Sequence, residues 1–262
     1  MQTTFLRKVI YQSVYIFTME IIRSGLFSLY PEIEFGMSTR KDGVSPGKCG
    51  LNLSYHVGDA AENVQENRQR FFDALHVAES AVAFPQQCHS DNVQIIVKPG
   101  QYETCDGLAT NERNLFLAVS VADCVPIFLY DKKTNAAAGI HAGWRGTASH
   151  IVENAVRLMN QEFGSNSTDV VAFIGPAAGQ CCYEVGNDVA AQFSAQFIAR
   201  NGNGKLKLDL KSANCSQLIE AGLLSSNIEI HPACTICTPE LFHSYRRDGK
   251  ESGRMLGIIG IR

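Results

Sequence analysis

Long apolar runs are missing from this sequence. No stretch approaches the roughly 18 uninterrupted apolar residues of a membrane-spanning helix, so no membrane partner is expected. A cationic excess is missing too. Lys and Arg number 23 against 26 Asp and Glu, a formal net charge of −3. That balance leaves nothing to neutralise a phosphate backbone, which argues against nucleic acid as a partner. The nine cysteines form no compact, even-numbered framework. Cys49, Cys88, Cys105, Cys124, Cys181, Cys182, Cys215, Cys234 and Cys237 are scattered, as in a reduced cytoplasmic chain rather than a secreted disulfide scaffold. The seven histidines contain no H-x-H pair, whereas a four-copper oxidase needs about ten in such pairs. No H-x-E occurs either, so Pro232 and the Cys234-Thr235-Ile236-Cys237 segment do not complete a nucleobase-deaminase zinc signature. That isolated CxxC reads as buried structural thiols, and Cys234→Ala is expected to spare any catalytic metal.

What is present is an ordinary globular composition, 45% apolar over 262 residues, without repeats, low-complexity tracts or a linker. That length suits one large domain or two small ones. Residues 1–18 carry a basic pair and a broken apolar run without a small-x-small cleavage site. They read as a disordered extension or a misassigned start, with Met19 as the better beginning. Ala61–His76 has the spacing of an amphipathic helix. Ala81–Phe84, Val93–Val97, Leu115–Val119, Val125–Tyr130, Ala136–His141, Val170–Ile174 and Met255–Ile261 read as strands. Further helices are expected after Thr147 to about Phe163, over Asp188–Arg200 and over Asp209–Leu224. Mixed strands and helices without strict alternation predict an α+β or layered α/β fold.

The turn Asp131–Thr134 carries a geometric consequence. If Tyr130 pairs with Asn135, paired numbers sum to 265 and Cys124 lies opposite His141, with Cβ atoms about 5 Å apart. A thiolate and an imidazole so placed could share a metal or form a nucleophile–base pair. A buried Cys beside a strand-end His is the plain structural alternative. His89, in the polar loop Gln87–Asp91, favours the metal. Two imidazoles and one thiolate from separate segments, with an open position, are the pattern of catalytic zinc. Asp106 and Asp123 are candidate orienting carboxylates or proton carriers, or ordinary turn residues. Gly143-Trp144-Arg145-Gly146-Thr147 joins a strand to a helix, a place that favours anions, and Arg145 could clamp phosphate there. Arg40 and the run Ser244–Lys250 are further cationic candidates.

Gln87-Cys88-His89-Ser90, Ala122-Asp123-Cys124-Val125-Pro126, His141–Thr147, Ile174-Gly175-Pro176, Cys182-Tyr183-Glu184-Val185-Gly186 and Phe242-x-Ser244-Tyr245-Arg246-Arg247-Asp248 together resemble the YfiH-type family. Its members are called polyphenol oxidase or laccase-domain proteins, and also multifunctional purine nucleoside phosphorylases. The likeness runs in order from about Gly36 to the C-terminus. Cys88 and Ser90 stand where the family usually has Val and Gly, leaving the histidine between them intact.

The resemblance implies a single α/β/β/α domain over residues 19–262 and zinc held by His89, Cys124 and His141. It also implies phosphorolysis of adenosine, inosine and methylthioadenosine, together with adenosine deamination. On this reading Cys124, His141 and Arg145 carry the chemistry, while Arg40, Arg145, Tyr183 and Arg247 bind nucleoside and phosphate. Glu184, Asp106 and Asp123 are candidates for the general acid. Copper is the alternative metal, and a laccase-like phenol oxidase or a metal-free Cys124–His141 hydrolase is the alternative activity. A non-enzymatic module that binds a partner or anion through the Gly143–Gly146 loop is a further rival. The expected protein is a cytoplasmic monomer or homodimer.

Overall fold

A computed structural model of the chain describes residues 19–200 and 202–262; the expectation for residues 1–18 lies outside the described residues. β1 (Ile21–Ile22) and β2 (Ile33–Ser38) lead to α1 (Ala61–Ala74). Four short strands follow: β3 (Val82–Pro85), β4 (Val93–Ile95), β5 (Gly100–Tyr102) and β6 (Gly107–Thr110). The regular centre is β7 (Phe116–Val121), β8 (Val125–Asp131) and β9 (Ala136–Ala142). α2 (Trp144–Ala148), α3 (Ile151–Phe163), β10 (Val170–Ile174), β11 (Glu184–Val185) and α4 (Asn187–Ala190) come next. Then come β12 (Ile198–Arg200), β13 (Leu206–Leu208), α5 (Leu210–Glu220), β14 (Ile228–Ile230), α6 (Tyr245–Asp248) and β15 (Met255–Ile261).

Two mixed six-stranded sheets result, ordered β1-β2-β15-β7-β3-β5 and β14-β10-β8-β9-β6-β4, with β11-β13-β12 as a small third sheet. Alternation along β8 shows how they stack. Phe128 and Tyr130 join Phe35, Met37, Leu117, Phe173 and Ile259 in a core between the two large sheets. Val125, Ile127 and Leu129 point the other way, onto Ile151, Ala155 and Met159 of α3 and Leu218 of α5. On the far side of the first sheet, Phe116, Ala118 and Ile258 pack against Val64, Phe71 and Phe72 of α1. The order of layers is therefore helix, sheet, sheet, helix, as expected. Strands buried on both faces explain the nearly continuous apolar runs of β8, β10 and β15.

Three local expectations are corrected. The β8–β9 register pairs Tyr130 with Ala137 and Pro126 with His141, two residues away from the expected one. Asp131 stays in the strand, opposite Ala136. Its carboxylate accepts the Lys133 N–H and the Thr134 hydroxyl, each at 2.8 Å, and Asn135 takes a positive φ of 53°. The turn thus shifts to residues 132–135. Because the shift is even, Cys124 keeps the same side as His141 but sits diagonally from it. The helix expected to run unbroken to Phe163 is split, because His150 adopts φ 60° between α2 and α3. Asp188–Arg200 is not one helix: α4 ends at Ala190, and Ile198–Arg200 pairs with β13.

Candidate metal centre and active site

The site lies where the two large sheets meet. β7 belongs to the first sheet and β8 to the second, so Ala122-Asp123-Cys124 is the crossing between them. His89 follows β3 of the first sheet, and His141 is the penultimate residue of β9 in the second. One ligand atom each from His89, Cys124 and His141 can be chosen such that all lie within 4.8 Å of one another. The two imidazoles meet edge to face, with centroids 4.9 Å apart. Gly143 leaves them room: a Cβ there would stand 3.0 Å from His89 Cδ2 and 3.3 Å from Cys124 Sγ.

Asp106 organises both histidines. Gly107 pairs with Ile140, which sets Asp106 beside His141. Its fully buried carboxylate meets His141 Nδ1 at 2.8 Å and accepts the N–H groups of Cys88, His89 and Ser90 at 3.1, 2.9 and 2.6 Å. Burial would raise the Asp106 pKa, but the hydrogen bonds from His141 and Ser90 prevail and hold it far below the usual carboxylate range. An ionised carboxylate only accepts, so His141 Nδ1 carries the proton and Nε2 is left for a ligand. The positive φ of His89, 62°, lets three consecutive N–H groups converge on that one carboxylate.

Burial would raise the Cys124 pKa as well. The adjacent His141 and His89 outweigh it and draw the thiol below its ordinary value. Burial alone would lower the His141 pKa, yet Cys124 and Asp106 lift it above the ordinary imidazole value. A thiolate beside a hydrogen-bonded imidazole is the electrostatic pattern of a soft cation site, and also of an activated nucleophile.

Asp123 has a different role from Asp106. Its side chain accepts the hydroxyls of Thr235 and Ser244 at 2.6 and 3.0 Å and the Arg246 N–H at 2.7 Å. It thereby fixes the turn that presents Cys124. Glu184 bonds to Lys205 at 2.7 Å.

The cationic candidates separate. Arg145 is exposed, with its guanidinium 4.5 Å from the Trp144 ring centroid. It stands on a five-residue helix, too short for the helix field expected from an unbroken run. Arg40 donates to the carbonyls of Pro239 and Lys48 at 3.0 and 2.6 Å. Arg247 is engaged with the Thr235 and Phe242 carbonyls and with Asp248. The neighbouring Arg246 donates to the Glu184 carbonyl at 3.0 Å and lies 5.0 Å from the ring centroid of Tyr183, a largely buried phenol within electrostatic reach of Cys124. Arg254 is also within reach of Cys124. Adjacent arginines look alike in sequence, and only the turn geometry of α6 distinguishes Arg246 from Arg247. A cavity of about 340 Å³ beside Asn154, Arg157, Asn160 and Ala221 shares no residue with the ligand cluster.

A second sulfur-rich group was not anticipated. Cys181 and Cys182 approach Cys234 and Cys237, and all four sulfurs lie within 4.8 Å of one another. Cys237 is exposed, so the CxxC is not a pair of buried thiols. Its partners were hidden by distance, Cys237 lying 55 positions after Cys182.

Residues 34–262 match the family described as multi-copper polyphenol oxidoreductase laccase. The chain is 35% identical over 248 residues to the purine nucleoside phosphorylase YlmD of Bacillus subtilis (strain 168), covering 88% of this chain and 89% of that protein. It is 34% identical over 252 residues to a purine nucleoside phosphorylase of Bacteroides thetaiotaomicron, covering 89% and 93% respectively. The crystal structure of YlmD from Geobacillus stearothermophilus matches with a TM-score of 0.86 at 33% identity, over 91% of this chain and 94% of that one. With layers, motifs and sequence in agreement, the chain belongs to the multi-copper polyphenol oxidoreductase laccase family, the YfiH-type group that its motifs resemble.

Proposed function

We propose that this chain is a zinc-dependent purine nucleoside phosphorylase acting on adenosine, inosine and methylthioadenosine, with adenosine deamination at the same site. The observation that carries the proposal is the convergence of His89, Cys124 and His141 within 4.8 Å, in a chain 35% identical to a protein named purine nucleoside phosphorylase. The donor set fits zinc. Two imidazoles and a thiolate leave one position open, Asp106 orients one imidazole, and Gly143 keeps the space clear. A multi-copper centre fits poorly, since only two of the seven histidines enter the metal-ligand groups found among the described residues.

His89, Cys124 and His141 would hold the ion, which would supply Lewis-acid polarisation and acidify a water. Asp106 keeps the His141 proton on Nδ1 throughout. In phosphorolysis, a phosphate oxygen bonds to C1′ as the bond to the purine nitrogen breaks, and the purine leaves with that electron pair. Arg145 beside Trp144 and Arg246 beside Tyr183 are the cations assigned to phosphate. In deamination, water replaces the C6 amino group, which departs as ammonia.

One observation favours a second reading, the metal-free cysteine hydrolase. Cys124, His141 and Asp106 also stand as nucleophile, base and orienting group. Protein purified without chelator, assayed with adenosine in the presence and absence of phosphate, separates the two. Zinc bound at this site and phosphate-dependent release of adenine are expected, both lost in His89→Ala. Unchanged turnover in His89→Ala would favour the hydrolase. Turnover without any dependence on phosphate would remove the phosphorylase assignment, and phenol oxidation tracking bound copper would restore the laccase reading.

A further inference from the structure

Outside the catalytic cluster, two loops bring four thiols together. The first is the turn containing Cys181 and Cys182, and the second is Cys234-Thr235-Ile236-Cys237. Cys237 Sγ lies 2.9 Å from Cys182 Sγ and 3.4 Å from Cys181 Sγ. We infer that Cys181, Cys182, Cys234 and Cys237 form a second metal site, a structural tetrathiolate zinc centre.

The chemistry of the four donors supports this. A tetrahedron with Zn–S bonds of about 2.3 Å has S···S edges of about 3.8 Å. All four sulfurs fall within 4.8 Å of one another, and the separations of 2.9 and 3.4 Å, below that edge length, both involve the exposed Cys237, which must swing outward to admit the ion. Cys234 is already arranged as an acceptor. Its sulfur receives the Gly179 N–H at 3.2 Å. A backbone N–H aimed at the sulfur suits a thiolate ligand. Gly179 permits the approach: a Cβ there would stand 3.1 Å from Cys234 Cβ and 3.3 Å from Cys181 Sγ.

Charge is accommodated as well. Zn²⁺ binding displaces four thiol protons and leaves a net charge of −2 on the centre. Lys207 donates to the Cys181 carbonyl. Lys211 donates to the carbonyls of His231, Pro232 and Ala233, immediately before Cys234. No change of oxidation state is involved, whereas joining Cys182 to Cys237 as a disulfide would require an oxidant.

The position gives the ion a purpose. Thr235, between two of the ligands, donates its hydroxyl to Asp123 at 2.6 Å and its N–H to the Ala177 carbonyl. Asp123 immediately precedes Cys124. A clamp on these loops therefore braces the turn that presents the catalytic thiol, and it positions Tyr183, the neighbour of Cys182. On this basis Cys234→Ala spares the ion at His89, Cys124 and His141 but loses the second one.

The test is elemental analysis of the full chain, grown with added zinc and purified without chelator. One zinc per chain is expected to survive in a His89→Ala/Cys124→Ala double variant. One equivalent fewer than in the parent is expected in Cys181→Ser/Cys237→Ser. After cobalt exchange, the double variant should show intense thiolate-to-cobalt charge transfer and tetrahedral d–d bands of a four-sulfur site. Thiol titration in denaturant with chelator should count nine free thiols. Seven thiols would identify a disulfide and overturn the proposal, as would iron in place of zinc. An equal metal content in the parent and Cys181→Ser/Cys237→Ser would also overturn it. Should either variant aggregate, the parent's own metal count, thiol count and cobalt spectrum decide.

Discussion

At the scale of single residues, Asp106 has the largest leverage on the candidate site, because one buried carboxylate serves both histidines. Asn has nearly the same shape but only one acceptor oxygen. Its NH2 would face either the His141 Nδ1–H or the N–H groups of Cys88 and Ser90. Asp106→Asn should weaken metal binding about 10- to 100-fold, measured by competition with a chromophoric chelator, while the far-UV spectrum stays folded. Full affinity in the variant would show that the carboxylate does not orient the ligands. Its adjacency to His141 was not available from local sequence, since it depends on the β6–β9 pairing. The grouping of His89, Cys124 and His141 was legible, because they sit in motif segments whose polar residues do not fit the surrounding apolar pattern.

His243 makes a different residue-scale prediction. Its side chain is fully buried, with Nε2 3.3 Å from the Leu51 carbonyl and Nδ1 lacking a partner among the described residues. Burial, followed by the charges of Arg40, Arg254 and Arg247, pushes its pKa down to about 3. The folded chain thus binds fewer protons here than the unfolded chain, whose histidine titrates near 6.5. Stability contributed by neutral His243 is fully present above about pH 6.5 and is lost as pH falls toward about 3. Denaturant titrations of the parent and His243→Gln across that window should diverge, the variant losing less stability on acidification. Parallel curves would assign the acid sensitivity to other groups.

At the scale of elements, β8, β9, β10 and β15 were readable because continuous apolar runs bounded by turn residues mark strands buried on both faces. The segment after Gly186 misled for a physical reason. Val189, Phe193 and Phe197 recur at four-residue spacing, yet the chain turns out of α4 after Ala190 and satisfies Ile198–Arg200 by pairing with β13. Long-range pairing overrides local periodicity there. The β8–β9 register erred by two residues because Asp131 builds the turn with its side chain, a contribution that strand-end counting omits. Packing between elements yields a further test. A Cβ on Gly257 of β15 would stand 2.5 Å from Phe128 Cζ across the sheet interface, so Gly257→Ala must push apart an aromatic cluster with little freedom to move. A destabilisation of about 1–3 kcal/mol is expected from such overpacking, read as a lower urea midpoint with an unchanged m-value. No shift would mean that the two sheets can separate more easily than their close packing implies.

At the scale of the whole molecule, element types pointed to a layered α/β fold and the motif resemblance supplied the layer order, but neither located the site. Its candidate ligands enter from the loop after β3, from the β7–β8 crossing and from β9, so a metal there would tie one large sheet to the other at their shared end. The second group of thiols ties the loop after β10 to the segment after β14. Any ion that binds only the folded chain adds stability through mass action, about 2.7 kcal/mol when its free concentration is 100 times its Kd. In a domain of this size each kcal/mol moves Tm by roughly 2–4 °C. Removing a single ion bound at that excess should therefore lower Tm by about 5–10 °C, and re-addition of zinc should restore it. Calorimetry on metal-loaded protein, chelator-treated protein and protein reloaded with zinc would measure this, with His89→Ala separating the contribution of the inter-sheet site. A Tm indifferent to chelation in protein shown to have lost its metal would mean that apolar packing between the sheets alone sets the global stability, leaving the ion to act on chemistry.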